Sequence, residues 1–227
     1  MPTNAPNAPL KPFSAIVFDM DGTLLDTEMV FKEIVWDVST ELGFAMTDGL
    51  HHQIVGSSHE TTNRLLVEAY GVSFPYAVFD DMCRTKMKAR MELSVPVKTG
   101  VHEILRELRS ARIPTAVATS SRAQHALGHL GHAGLLDHFA AVVTRDDVTN
   151  PKPHPEPYLR ATQLLGIAPG QAIAVEDSHA GVRAAHAAGL QTIMVPDIVA
   201  PSDEISALCV AVMDSLHVLR DAAFPRG

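Results

Sequence analysis

The chain has 227 residues, 46% of them hydrophobic, with 18 Lys plus Arg against 26 Asp plus Glu and a formal charge of −8. That length permits one large domain, or one domain with a smaller insertion. The acidic balance argues against nucleic acid or an anionic membrane as partner, so an anionic ligand would need a local positive cluster. Cys83 and Cys209 form no spacing motif, which suits a reduced, cytoplasmic protein without a disulfide framework. No stretch has the length of an apolar membrane span.

Residues 1–11 are rich in Pro and Asn, lack an apolar secretory core and read as a disordered tail. The first organised stretch is Ala15-Ile16-Val17-Phe18-Asp19-Met20-Asp21-Gly22-Thr23. Its apolar, β-branched start predicts a buried strand, which stops at two carboxylates spaced i, i+2. Two aspartates that close repel each other, and burying them calls for a counter-charge such as a divalent cation. The competing reading is an ordinary acidic turn.

After Asp26 the pattern turns helical. Val30, Phe31, Ile34, Val35, Val38 and Leu42 recur at threes and fours up to Gly43. Further helices are predicted over 47–54, 60–70 and 76–93, with no alternating strand before Pro96. From Val101 helices and strands alternate: helix 101–111, strand 115–119, a helix, strand 141–143, helix 155–165, strand 172–175, helix 180–188, strand 192–195, a weaker strand 209–212 and a last helix to Asp221. Such alternation predicts an α/β fold, a doubly wound, Rossmann-like parallel sheet covered on both faces. An all-α domain at 27–96 interrupts a core formed by 12–26 and 97–227.

Three later strands end in residues that suit the first pair. Thr119-Ser120-Ser121 precedes a helix, where hydroxyls and free N–H groups can receive a phosphate or simply cap. Lys152 lies between Pro151 and Pro153 and can offer a compact charge to a phosphate, unless it is an ordinary surface lysine. Glu176-Asp177 again places two acids at a strand end, as metal ligands or as compensation for the next helix dipole.

Asp19-x-Asp21-Gly22-Thr23, Thr119-Ser120-Ser121, Lys152-Pro153 and Glu176-Asp177 together resemble the haloacid dehalogenase-like hydrolase superfamily. The helical insertion resembles the capped branch that includes phosphoglycolate phosphatases, sugar-phosphate phosphatases and β-phosphoglucomutases, and Ala118-Thr119-Ser120-Ser121 with Met194-Val195-Pro196-Asp197 is similar to the wording of pseudouridine-5′-phosphatase-like members. The resemblance implies a Mg²⁺-dependent phosphatase that hydrolyses a small phosphorylated metabolite, a sugar or nucleoside phosphate, a mechanism for which a monomer suffices. It implies Asp19 as the nucleophile that becomes an aspartyl-phosphate, and Asp21 as general acid and base, oriented by Thr23. Asp19, the Asp21 carbonyl and Asp177 would hold Mg²⁺, with Glu176 either a direct ligand or one contact behind them. Thr119, Lys152 and the amides of Met20, Asp21 and Ser120 would grip the phosphoryl group. The dehalogenase branch lacks the second aspartate, so Asp21 points to phosphoryl transfer.

The alternative is a hexose-phosphate mutase. β-Phosphoglucomutases carry a His five residues after the Asp-Thr pair and an Arg three after the cap glycine; here Phe31 and His59 fall near those places. Loss of the permanent cation favours hydrolysis. Leaving-group selection is expected near Gly56, Ser57, Ser58, His59 and Glu60. The row His125, His129, His132 and the pair His51-His52 read as exposed faces, and His179 as a metal-site neighbour or a helix cap.

Overall fold

The computed structural model describes residues 10–55, 57 and 59–225. The chain divides into two compact units, Met1–Asp26 with Pro96–Gly227, and Thr27–Val95.

The larger unit is built on six parallel strands: β1 (Ala15–Phe18), β2 (Thr115–Ala118), β3 (Ala141–Val143), β4 (Ala172–Glu176), β5 (Gln191–Met194) and β6 (Ala211–Val212). Their order is β3-β2-β1-β4-β5-β6, so the chain starts in the middle and winds outward in both directions. The predicted doubly wound sheet is therefore present. Every residue of β1, β2, β4 and β5 is buried, the pattern of strands covered on both faces. Side chains alternate across the sheet, and one face carries Ala15, Val17, Ala116, Ala118, Ala172 and Ala174. Those short side chains let helices α7 (Glu156–Leu165) and α8 (His179–Ala187) lie close, with Tyr158, Ala161, Ala184 and Ala185 closing the same core. The opposite face presents Ile16, Phe18, Val117, Ile173 and Val175, all fully buried.

Helix α5 (Val101–Ser110) buries Val101, Ile104, Leu105 and Leu108, an i, i+3, i+4, i+7 stripe, and packs against α10 (Leu216–Ala223). Helix α6 (Ala123–His132) follows β2. A short helix α9 (Asp203–Leu208), capped by Ser202, was not visible in the apolar pattern, and β6 is shorter than the predicted 209–212 because Cys209 ends that helix. Of the predicted tail, residues 1–9 lie outside the described residues. Lys11 is tied down, its N–H donating to Gln191 Oε1 at 3.1 Å.

The smaller unit is all helical: α1 (Thr27–Glu41), α2 (Asp48–Ile54), α3 (His59–Tyr70) and α4 (Tyr76–Leu93). Thr47, predicted inside α2, is its N-cap and accepts from Leu50 N–H at 3.2 Å. Phe74 joins the helices through ring contacts with Phe44 at 4.9 Å, Tyr70 at 5.4 Å and Phe79 at 5.5 Å. His51 departs from the expected exposed face. It is 1% exposed, edge-on to Trp36 at 5.1 Å, because the helix turns it onto the aromatic side of α1. Both cysteines are free, and no helix among the described residues is long and apolar enough to cross a membrane.

Gly100 starts α5 with φ +92°, and a Cβ there would lie 3.0 Å from the backbone nitrogen of His217. Gly100→Ala combines a left-handed backbone with a contact that cannot yield, a cost of about 1–3 kcal/mol. Thermal unfolding should show Tm lowered by roughly 2–8 °C; an unchanged Tm would refute that reading of the α5–α10 contact.

Candidate active site

The carboxyl ends of the strands lie at one edge of the sheet, and the predicted motifs leave from that edge. Asp19 follows β1, with its N–H donated to Val175 O of β4 at 2.9 Å. Thr119 follows β2, with its N–H donated to Val143 O of β3 at 2.9 Å. The adjacent strands thus fix both backbones where strands of one register end together.

Lys152 binds the groups together. Its Nζ lies 2.5 Å from Asp19 Oδ1 and 2.6 Å from Glu176 Oε1, and its side chain is only 4% exposed. The surface-lysine alternative is thereby excluded. Burial works against the charge of Lys152, yet the Asp19 and Glu176 carboxylates together hold its pKa above the usual lysine range.

Glu176 is fully buried and surrounded by donors. Besides Lys152, Oε1 accepts from Tyr158 Oη at 2.6 Å, while Oε2 accepts from Ser178 Oγ at 3.0 Å and Ser178 N at 3.3 Å. The carboxylate presses on the backbone of Gly181, where a Cβ would fall 1.8 Å from Oε1. Glu176 therefore acts as an anchor that orients Lys152. Tyr158, Ser178 and Gly181 in this arrangement were missed from the sequence; the one available clue was that a tyrosine on the buried side of α7 must find a partner for its hydroxyl.

Asp19, Glu176 and Asp177 can bring one ligand oxygen each within 4.8 Å of one another. Two buried carboxylates and a third, part-buried one leave an excess of negative charge over the single lysine. Burial foremost, then the Glu176 and Asp177 charges, raises the pKa of Asp19 well above the carboxylate range despite Lys152. Burial and Glu176 likewise push Asp177 up to about 8. A divalent, oxygen-seeking cation is the group that such a donor set fits. The fit is also steric: Gly22, at φ +82°, yields the space in which Asp177 Oδ2 sits, since a Cβ would come within 2.3 Å of that oxygen.

Asp21 is held from β2's loop. Ser121 Oγ donates to Asp21 Oδ2 at 2.7 Å. The expectation that Thr23 orients Asp21 is not met: Thr23 Oγ1 points to Asp177 Oδ1, at 3.5 Å. Thr119 is buried, and its hydroxyl accepts Ser121 N–H at 3.0 Å within the loop, while α6 begins after Arg122 with no side-chain cap. Ser120 is exposed, and Met20 is fully buried beneath the turn. His179 Nε2 pairs with Ala200 O at 3.0 Å. Of the histidine row, His125 and His132 are exposed as expected, but His129 is half-buried, with Nδ1 enclosed.

In the helical unit Gly56 and Ser58 lie outside the described residues. His59 Nδ1 lies 3.2 Å from Tyr76 Oη and 3.1 Å from Asp80 Oδ1. These residues line a cavity of about 270 Å³ with Ser57, Thr62 and Phe79.

Residues 16–195 match the family profile of the haloacid dehalogenase-like hydrolases. A phosphorylated carbohydrates phosphatase of Thermotoga maritima is 34% identical over 179 residues, covering 79% of this chain and 83% of that protein. Among solved structures, a HAD family hydrolase from Deinococcus radiodurans with bound phosphate and sodium superposes with TM-score 0.85 at 28% identity, covering 93% of this chain and 95% of that one. A Thermotoga maritima protein described as a β-phosphoglucomutase gives TM-score 0.80 at 30% identity, covering 94% and 100%. The chain belongs to the haloacid dehalogenase-like hydrolases and is an enzyme of the phosphatase kind within that family.

The raised pKa of Asp177 has a consequence for stability. Between its ordinary value of 3.8 and about 8, the metal-free folded protein keeps a proton that the unfolded chain has lost. Stability should therefore fall as pH climbs through that window. Asp177→Asn should flatten the decline and stabilise the metal-free protein at pH 8 by a few kcal/mol. Denaturant unfolding at pH 5 and pH 8 measures both; equal slopes in parent and variant would contradict the charge assignment.

Proposed function

We propose that this enzyme hydrolyses small phosphate monoesters, of a sugar or nucleoside, with Mg²⁺ and through a phosphorylated Asp19. The observation that carries the reading is the placement of Lys152 Nζ, hydrogen-bonded at once to Asp19 and to the anchored Glu176. A carboxylate held against a buried ammonium keeps one oxygen directed and can approach a phosphoryl group that the same ammonium attracts.

The chain's own groups then divide the work. An Asp19 oxygen attacks phosphorus, and the leaving alkoxide takes a proton from the Asp21 carboxyl group. Asp21, now ionised and oriented by Ser121, removes a proton from the water that attacks the aspartyl-phosphate. Phosphate departs and Asp19 is regenerated. Thr119, with the amides of Met20, Asp21 and Ser120, and Lys152 receive the phosphoryl oxygens, an assignment supported by the family resemblance. Asp19, Asp177 and the Asp21 carbonyl would hold the ion, with Glu176 orienting Lys152. When bound, Mg²⁺ supplies neutralising charge for the phosphoryl group in its transition state.

The helical unit is proposed as a cap that selects the leaving group. The structural likeness to a protein described as a β-phosphoglucomutase keeps mutase chemistry as the second reading. His59, where that kind of mutase carries an arginine, supports hydrolysis, since an imidazole is not a permanent bidentate cation.

A panel of metabolite monophosphates, assayed for inorganic phosphate, tests the proposal. Multiple turnover is expected with Mg²⁺ and loss of activity with EDTA, and Asp19→Asn should lose at least about 10³-fold in kcat. Release unaffected by EDTA, or by Asp19→Asn, would refute it; interconversion of hexose phosphates without phosphate release would establish the mutase reading.

A further inference from the structure

Asp197 stands three residues beyond β5, at the same sheet edge as Asp19 and Asp177. Its two oxygens have different surroundings. Oδ1 accepts from Lys98 Nζ at 2.6 Å, and Lys98 also lies 3.7 Å from Asp26 Oδ1. Oδ2 is sealed from solvent and has no hydrogen-bond partner among the described residues.

Oδ2 lies beside the turn at Gly22. A Cβ on that residue would stand 3.4 Å from Asp197 Oδ2 and 2.3 Å from Asp177 Oδ2, so both oxygens border one small space. A second carboxylate aimed at the same space is unfavourable unless a donor lies between them. Lys98 is committed to Oδ1. The group that would bring donors to Oδ2 is the hydration shell of a cation, because Mg²⁺ retains several of its waters when bound through carboxylates.

We propose that Asp197 is a positioning residue for the metal site: clamped by Lys98 through Oδ1, it accepts through Oδ2 a hydrogen bond from a water on the divalent ion held by Asp177. The inference rests on the metal-binding reading above, and the experiment separates the two. Neither Asp197 nor Lys98 has been given a role in the reaction above, and neither would touch the reacting phosphoryl group.

Mn²⁺ is the probe, with its binding followed by the electron paramagnetic resonance signal of the free ion and metal-free Tm recorded for each protein. Asp197→Asn keeps an oxygen for Lys98 and replaces the accepting Oδ2 by an NH₂ group. Mn²⁺ affinity should fall about 10-fold or more, while metal-free Tm stays level or rises. Lys98→Met distinguishes positioning from bulk charge. Removing a positive charge would by itself tighten Mn²⁺ binding, whereas releasing Asp197 should weaken it. Asp221→Asn, in an exposed pair with Arg220, is the control and should bind as the parent does. Asp197→Asn binding within twofold of the parent, or Lys98→Met binding more tightly, would overturn the positioning role. Failure of the parent to bind Mn²⁺, or equal binding by Asp177→Asn, would instead overturn the metal reading beneath it.

Discussion

Two buried carboxylates, a part-buried third and one buried ammonium are the constraint on which the rest of this structure depends. Isolated charges are expensive to bury, and a pair survives only if its remaining valences are met. Lys152 has two carboxylate partners, and Glu176 has four donor contacts from three residues. Asp19 and Asp177 are not so well supplied, and their raised pKa values register the deficit. The ground state of the metal-free protein is thus strained toward taking up a proton or a cation. On the function proposed above, the same imbalance would draw in the ion that a dianionic substrate then needs.

The parallel sheet makes this arrangement possible. Four strands side by side deliver Asp19, Thr119, Glu176-Asp177 and Asp197 to one edge, and the loop after β3 brings Lys152 back across them. Close approach then depends on missing side chains. Gly22 makes room for Asp177, and Gly181 makes room for Glu176. Alanines on the α7–α8 face serve the same end at larger scale, since they let Tyr158 come down onto Glu176 from a helix packed close to the sheet.

Much of the fold was legible in the sequence because its strands are buried on both faces and read as short apolar runs between amphipathic helices. The grouping of the candidate-site residues was legible for a related reason: acids, hydroxyls and a proline-bracketed lysine stand at strand ends, where nothing in packing calls for them. What stayed hidden depends on contacts distant in sequence. Ser121 reaches Asp21 across 100 positions, a pairing that local pattern cannot distinguish from helix capping. Thr23 turned to Asp177 because the Gly22 turn aims its side chain away from Asp21. His51 looked solvated beside a second histidine, yet the aromatic surface of α1 claimed it. Helix α9 is too short for periodicity to be read.

Chemical trapping of the covalent intermediate tests the central claim most directly. The enzyme would be mixed with a turned-over phosphate ester and Mg²⁺, quenched in acid within the first turnovers, reduced with borohydride and digested for mass spectrometry. Reduction of an acyl phosphate converts aspartate to homoserine. Homoserine at position 19, absent without substrate, is expected; homoserine at another position, or an unmodified Asp19 under active turnover, would contradict the assignment of the nucleophile.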